Sequence, residues 1–304
     1  PAYLEGSRRI VTALAERFGR HPAVILWHIS NEYGGDCHCE LCQAAYRAWL
    51  QKKYGTLEAL NHAHWSAFWS HSYSSWEQIS SPMTSIGETY HHMNVIDWKR
   101  FTTDQTVSFM QAEKDALREF SPDVPVTTNL MGFYDGLNYG KFRDVCDVIS
   151  WDNYPTWHNG DESLPAAIGM THDWMRSLKP DQPFLMMESS PSATNWQSVC
   201  KLRRPGMHML SSMQAVAHGS DSVQYFQWRK GRGGAEKFHG AVVDHDCSAE
   251  HRVFREVAEV GERLKSLSAL AGSVFPSRAA VIHDVENRWA LGEIQALHNT
   301  KRQK

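Results

Sequence analysis

Short apolar runs alternate with longer helical patterns along this chain. That alternation restricts the fold to a parallel sheet whose strands are joined by crossover helices. Five strand candidates are legible: Ala23–Ser30 (AVILWHIS), Val124–Leu130 (VPVTTNL), Val148–Trp151 (VISW), Pro183–Met187 (PFLMM) and Ser222–Trp228 (SVQYFQW). Each is short and mostly apolar on both faces, as strands covered on both sides are. Each is followed at once by a polar, aromatic or glycine-bearing loop. Leu4–Phe18 predicts a first helix with Ile10, Val11, Leu14 and Phe18 on one core-facing stripe, stopping at Gly19. Phe109, Ala112, Ala116 and Phe120 mark a second helix, and Met209, Leu210, Met213 and Val216 a third. Val253, Val257, Val260, Leu264 and Leu267 mark a fourth. After Pro276, the run Arg278–His283 reads as a strand that opens another domain. The expected division is therefore residues 1–270 for the main domain and 271–304 for the start of a second α/β domain.

A chain of 304 residues suffices for one α/β barrel or for two average domains. Its 31 basic and 34 acidic side chains leave a net charge of -3, with no basic stripe to grip nucleic acid or an anionic membrane. Neither partner is expected, and no apolar run is long enough to span a bilayer. No charged-then-apolar leader is legible. Cys146, Cys200 and Cys247 suit a reducing compartment better than a disulfide framework, so the expected location is cytoplasmic. Twelve Trp, ten Tyr and twelve Phe are present, and many stand beside Asn, Asp or Glu. Flat rings next to hydrogen-bonding groups suit the faces of sugars, although the same rings also serve as core.

Two carboxylates occupy corresponding places in this pattern. Glu32 follows Asn31 at the C-terminal end of the first strand, and Glu188 follows Leu185-Met186-Met187 at the end of the fourth. The carboxyl ends of parallel barrel strands build active sites. Two acids there are the equipment of glycoside hydrolysis: one protonated to release the leaving oxygen, one charged to attack the anomeric carbon. Their mutual repulsion helps separate the two pKa values. An Asn-Glu dipeptide alone is common by chance, and the paired strand-end setting gives it weight. A separate signal is Cys37-x-Cys39-x-x-Cys42, with Asp36 and His38 interleaved, in the loop after Glu32. Three thiols in six residues can reach one tetrahedral Zn²⁺ at about 2.3 Å each, and a closed structural site wants a fourth ligand. His38 and Cys146 are candidates for it.

The runs HPAVILWHISNEYGG, WDNYP, FLMMESSPSATNW and VQYFQWRKGRGGAEKFHGAVVD resemble the β-galactosidases of glycoside hydrolase family 42, to about Trp289. The resemblance implies a (β/α)8 TIM barrel, retention of anomeric configuration and a galactoside at the barrel mouth, with no cofactor for catalysis. Position by position, Glu32 resembles the acid/base and Glu188 the nucleophile. Asn31 resembles the residue that hydrogen-bonds the sugar 2-hydroxyl, and Tyr154 the tyrosine that orients the nucleophile. Trp196 resembles the platform under the ring. Glu236 and His239 resemble the pair that holds the outer hydroxyls, or His239 serves only as a neutral partner of Glu236. Family members bind structural zinc with three cysteines matching Cys37, Cys39 and Cys42 and one more from a loop before the first helix. They also assemble as homotrimers.

The five strands correspond by this resemblance to barrel strands four to eight, with three further βα units expected before Pro1. The chain alone is then expected to fold poorly, since its first and last strands become edges. An arginine that the family uses near the sugar would lie in the missing part. Three other readings stay open on the sequence: a related retaining glycosidase with another sugar preference, a non-catalytic remnant or sugar-binding fragment, and a zinc-binding interaction module. A separation of about 5 to 5.5 Å between the two carboxyl groups supports retention, and roughly 6.5 to 9.5 Å supports inversion.

Overall fold

A computed structural model describes residues 2–82, 92–156, 162–274 and 276–293. The described residues fall into two compact units. The first comprises residues 1–33, 113–133 and 146–278, and the second residues 34–112, 134–145 and 279–304.

The first unit carries every strand among the described residues. They are β1 (Trp27–His28), β2 (Val126–Thr127), β3 (Asn129–Leu130), β4 (Ser150–Asn153), β5 (Phe184–Ser189) and β6 (Ser220–Val223). All pairings are parallel and follow chain order, β1 to β2 and then β3 through β6. β2 and β3 are one extended segment interrupted at Thr128, so the five expected strands are present as five. β1 is shorter than its apolar run, β4 and β5 extend beyond theirs at the C-terminal end, and β6 begins two residues before its run and overlaps only the first two residues of it. Helices α5 (Leu164–Leu178) and α6 (Met207–Ala217) cross over from β4 to β5 and from β5 to β6, α1 (Ala2–Phe18) precedes β1 and α7 (Arg252–Ser266) follows β6, with α5 against β4 and α6 against both β6 and α7. The architecture is that of part of a TIM barrel.

The strands are less apolar than the sequence suggested. Thr127, Asn129, Ser150 and Asp152 are buried, and Thr127 Oγ1 lies 2.9 Å from Ser150 Oγ. Those hydroxyls satisfy each other and neighbouring carbonyls, so a polar interior costs little. The α1 stripe departs from expectation in the other direction. Ile10 is 65 % exposed, Leu14 44 % and Phe18 40 %, and only Ala15 of that helix is buried. Nothing among the described residues covers that face.

The second unit is helical, with α2 (Glu40–Tyr54), α3 (Leu57–His64), the N-terminal part of α4 (His92–Arg118) and α8 (Val285–Glu293). Tyr46, Leu50, Leu60, Ile79, Trp98 and Phe101 form its core, with Tyr46 edge-on to Trp98 at 5.0 Å. Beside them the buried Asp97 carboxylate takes hydrogen bonds from Tyr54, His64 and Arg100 at 2.6, 2.9 and 2.9 Å, and from Lys53. Arg278–His283 is not a strand. No described strand pairs with it, Ile282 is 96 % exposed, and α8 follows.

Candidate active site

The strand ends converge on one buried amide. Asn129, the first residue of β3, is fully buried. Its Oδ1 accepts the backbone N–H of Glu32 at 2.9 Å and lies 3.0 Å from His28 Nε2. Its Nδ2 faces three acceptors: Asn31 Oδ1 at 3.0 Å, Asp152 Oδ2 at 2.7 Å and Glu188 Oε1 at 3.2 Å. A primary amide has two hydrogens, so these three acceptors share them.

Each carboxyl reaches this point for a local reason. The chain after β1 turns through two left-handed residues, Ser30 at φ 57° and Glu32 at φ 40°. Side chains other than glycine hold that conformation at a cost of about 1–3 kcal/mol each, and such strain collects where a function needs it. Two bonds hold the turn: the Glu32 N–H on Asn129, and the phenol of Tyr33, which donates to Glu113 Oε2 on α4. Asp152 arrives through an irregularity in β4. The register slips between Trp151 and Asp152, so Trp151 faces Met186 while Asp152 faces Glu188. A slip of one residue swaps the faces that side chains occupy, and here it aims two acids at the same space. Glu188 ends the apolar run of β5, where the phenol of Tyr154 donates to its Oε2 at 2.7 Å.

Glu32, Asp152 and Glu188 thus hold one carboxylate oxygen each within 4.8 Å of one another. Burial raises the Glu188 pKa, and the charges of Glu32 and Glu236 add to it, against the hydrogen bonds from Tyr154 and Asn129. Asp152 is pushed up to about 9 by burial first, then by Glu188 and Glu32, with Asn129 opposing. Burial and the neighbouring Glu188 raise the Tyr154 phenol far above its ordinary value, so it is a hydrogen-bond donor throughout the accessible pH range. Burial and crowding of like charges thus favour the protonated form of Asp152 and oppose full ionisation of the cluster.

The sequence-predicted sugar contacts stand on the same rim. Trp196 is 57 % exposed and packs edge-on to the Tyr154 ring at 5.3 Å. His239 is buried beside Tyr154, with Nδ1 3.1 Å from Asn195 Oδ1 and Nε2 3.1 Å from the Phe226 carbonyl. Burial lowers its pKa. Glu236 is exposed and meets His239 through its backbone carbonyl, which accepts the His239 N–H at 2.8 Å. Gly240 keeps this loop close, since an added Cβ would stand 2.7 Å from Ala193 N and from Ser192 Cβ. Asn129 and Asp152 were missed by sequence reasoning. Both lie in quoted runs, VPVTTNL and WDNYP, and the available signal was a polar residue at a strand's C-terminal end.

The cysteine cluster belongs to the second unit. Cys39 is the residue before α2 and Cys42 lies in its first turn, so only the first part of the motif is loop. That i, i+3 relation brings their sulfurs to 3.7 Å, and Cys37 Sγ lies within 4.8 Å of both. Tetrahedral zinc at about 2.3 Å from each sulfur sets them about 3.8 Å apart, so the trio fits. Hydrogen bonds within the trio bring the Cys39 thiol down to about 7, while burial first, then its two neighbours, push Cys42 up to about 12. His38 is engaged elsewhere, with Nδ1 2.7 Å from Ser81 Oγ and Nε2 3.1 Å from Asp36 Oδ2. Cys146 is buried in the first unit, its thiol pushed up to about 12 by that burial.

Parallel strands that end in a cluster of carboxyls, one of them hydrogen-bonded by a tyrosine with a tryptophan packed beside it, define the barrel glycosidase class. The family model for glycosyl hydrolase family 42, described as beta-galactosidase, matches residues 1–267. The chain belongs to that family. It is 58 % identical over 301 residues to Beta-galactosidase BglY of Alicyclobacillus acidocaldarius, covering 98 % of this chain and 44 % of the relative. Beta-galactosidase GanA of Bacillus subtilis is 55 % identical over 303 residues, covering 96 % of this chain and 45 % of the relative. A catalytic mutant of Gan42B, a family 42 beta-galactosidase from G. stearothermophilus, superposes with a TM-score of 0.95 at 54 % identity. That match covers 98 % of this chain and 45 % of that one. The chain spans less than half the length of these relatives.

Proposed function

We propose that this chain carries the catalytic centre of a retaining glycosidase that cleaves terminal non-reducing β-D-galactosides by double displacement. The observation that carries the reading is the approach of Glu32 and Glu188, one carboxylate oxygen of each lying within 4.8 Å of the other. This suits the spacing of about 5–5.5 Å between carboxyl groups in retaining enzymes better than the wider gap of about 6.5–9.5 Å that inverting enzymes keep for a water. Glu188, ionised and held by Tyr154, attacks the anomeric carbon. Glu32 gives its proton to the leaving oxygen, then takes one from the water that hydrolyses the galactosyl ester. Asn31 reaches the 2-hydroxyl, Trp196 lies under the ring, and Glu236 with His239 receives the outer hydroxyls. The names of the relatives support galactose as the sugar.

Around this centre we place a cytoplasmic enzyme that is a homotrimer when intact, with residues 271–304 beginning a further domain. Among the described residues no helix is long and apolar enough to cross a membrane. Cys37, Cys39 and Cys42 would hold a structural zinc, completed by a ligand from outside this chain's described residues. Such a zinc would cross-link the loop after Glu32 to α2 and take no part in the reaction.

The test is kinetic, on the intact protein. Glu188→Ala is expected to abolish turnover of both activated aryl and unactivated galactosides. Glu32→Ala is expected to lose about 10²–10⁴ on poor leaving groups and far less on activated aryl galactosides. Azide should then rescue Glu32→Ala as the β-galactosyl azide and Glu188→Ala as the α anomer. Near-normal activity in Glu188→Ala would falsify the nucleophile assignment and the reading with it.

A further inference from the structure

Double displacement needs two carboxyls, and this site contains three. Asp152 is only 6 % exposed, opposite Glu188 in the slipped register of β4 and β5. One of its oxygens, Oδ2, accepts from Asn129 at 2.7 Å. The other, Oδ1, is buried and receives no donor among the described residues. One oxygen of its carboxyl lies within 4.8 Å of one of Glu32. A buried acceptor without a donor is costly, and more so when it is charged. A proton on Oδ1 removes that cost, because the group then donates towards an oxygen of Glu32. The groups around Asp152 are Glu32 after β1, Asn129 on β3, Glu188 on β5 and Tyr154 just past β4, with His28, whose pKa is lowered by burial, on the far side of the Asn129 amide. None of them is a cation that could balance a third negative charge.

We infer that Asp152 is a positioning residue for this reaction: a neutral carboxylic acid, fixed by Asn129, whose proton is hydrogen-bonded to Glu32. The inference rests on the glycosidase reading and adds to it. A neutral donor beside Glu32 holds its side chain in place in both protonation states. It also favours the carboxylate that Glu32 becomes after giving up its proton. An ionised Asp152 would oppose that same transfer. The proton on Asp152 stays where it is throughout the cycle, so no bond to it forms or breaks.

Asparagine reproduces this role atom for atom. Its carbonyl oxygen can accept from Asn129, and its amide can donate to Glu32. In the intact protein, Asp152→Asn is expected to keep kcat/KM for an aryl galactoside within about tenfold, with the alkaline limb of its pH profile moved by less than ~0.5 unit. Asp152→Ala is expected to lose on the order of 10² in kcat on a poor leaving group, with asparagine restoring most of it. A purely structural role would not separate the two variants in this way while leaving the limb fixed. Were Asp152 ionised, removing its charge so near Glu32 would drop that limb by on the order of 2 units, and the inference fails. It fails equally if alanine matches wild type.

Infrared difference spectra of wild type against Asp152→Asn at neutral pH need no substrate and no stable alanine variant. Loss of a protonated-carboxyl band supports the inference, and loss of a carboxylate band overturns it. Failure of the glycosidase reading shows separately, as activity that survives Glu188→Ala.

Discussion

A carboxylic acid held neutral inside a fold makes stability depend on pH in a direction opposite to most acidic residues. Burial and the neighbouring Glu188 and Glu32 push the Asp152 carboxyl up to about 9, above the ordinary carboxylate value of about 3.9. The unfolded chain therefore releases this proton first as pH rises. The contribution of Asp152 is fully present below about pH 4, declines as pH climbs and is gone above about pH 9, by at most about 1.4 kcal/mol per pH unit. Urea midpoints across that window should fall less steeply for Asp152→Asn than for wild type. Parallel curves would mean that Asp152 ionises as an ordinary aspartate. At this scale the two strand-end acids, Glu32 and Glu188, were legible from the apolar runs that precede them, and Tyr154 from the family resemblance. The sequence did not disclose Asn129. A buried asparagine in VPVTTNL looks like a strand's polar face until the three carboxyls around it have been placed.

The site is only as exact as the loops that leave the strands. Gly240 packs against Ala193 and Ser192, and its N–H donates to the Ala193 carbonyl at 2.8 Å. Any side chain there drives the His239 loop away from the loop that carries Asn195 and Trp196. Gly240→Ala is expected to cost about 1–3 kcal/mol in denaturant unfolding. It should also raise KM for galactosides more than it lowers kcat, since the carboxyls lie on other segments. An unchanged KM would place this contact outside substrate binding. Among the elements, the apolar runs located all five strands, because a parallel strand announces itself by composition. The register slip at Trp151/Asp152 left no mark in composition, being a matter of pairing. Helices α2 and α3 and the first half of α4 went unread for a different reason. Their core is built from Tyr, Trp and Phe spaced among charged residues, and Asp97 sits inside it with its cations instead of on a solvated face.

For the molecule as a whole, the two compact units should respond to acid in different ways. Burial alone would raise Asp97 of the second unit, but hydrogen bonds from His64, Lys53 and Tyr54 outweigh it and hold this carboxyl well below its usual range. A depressed pKa lends stability above the unfolded value, about 3.9, and that stability is lost as pH falls below it. Asp97→Asn is expected to destabilise the second unit by on the order of 3 kcal/mol at neutral pH, since Lys53 and Arg100 lose their buried counter-charge. It should also flatten the acid limb of unfolding there, and an acid limb equal to wild type would rule out this carboxylate as its source. The division into interleaved units was not legible, because a linear reading looks for boundaries in order and this one leaves and returns. Glu32, Asn129, Asp152 and Glu188 all belong to the first unit, although the polypeptide departs from it after Tyr33 and again after Phe133. Those two excursions lie between the four residues along the chain and belong to the second unit. Insertions into residues 34–112 or 134–145 thus lengthen the polypeptide between these side chains without changing the unit to which they belong.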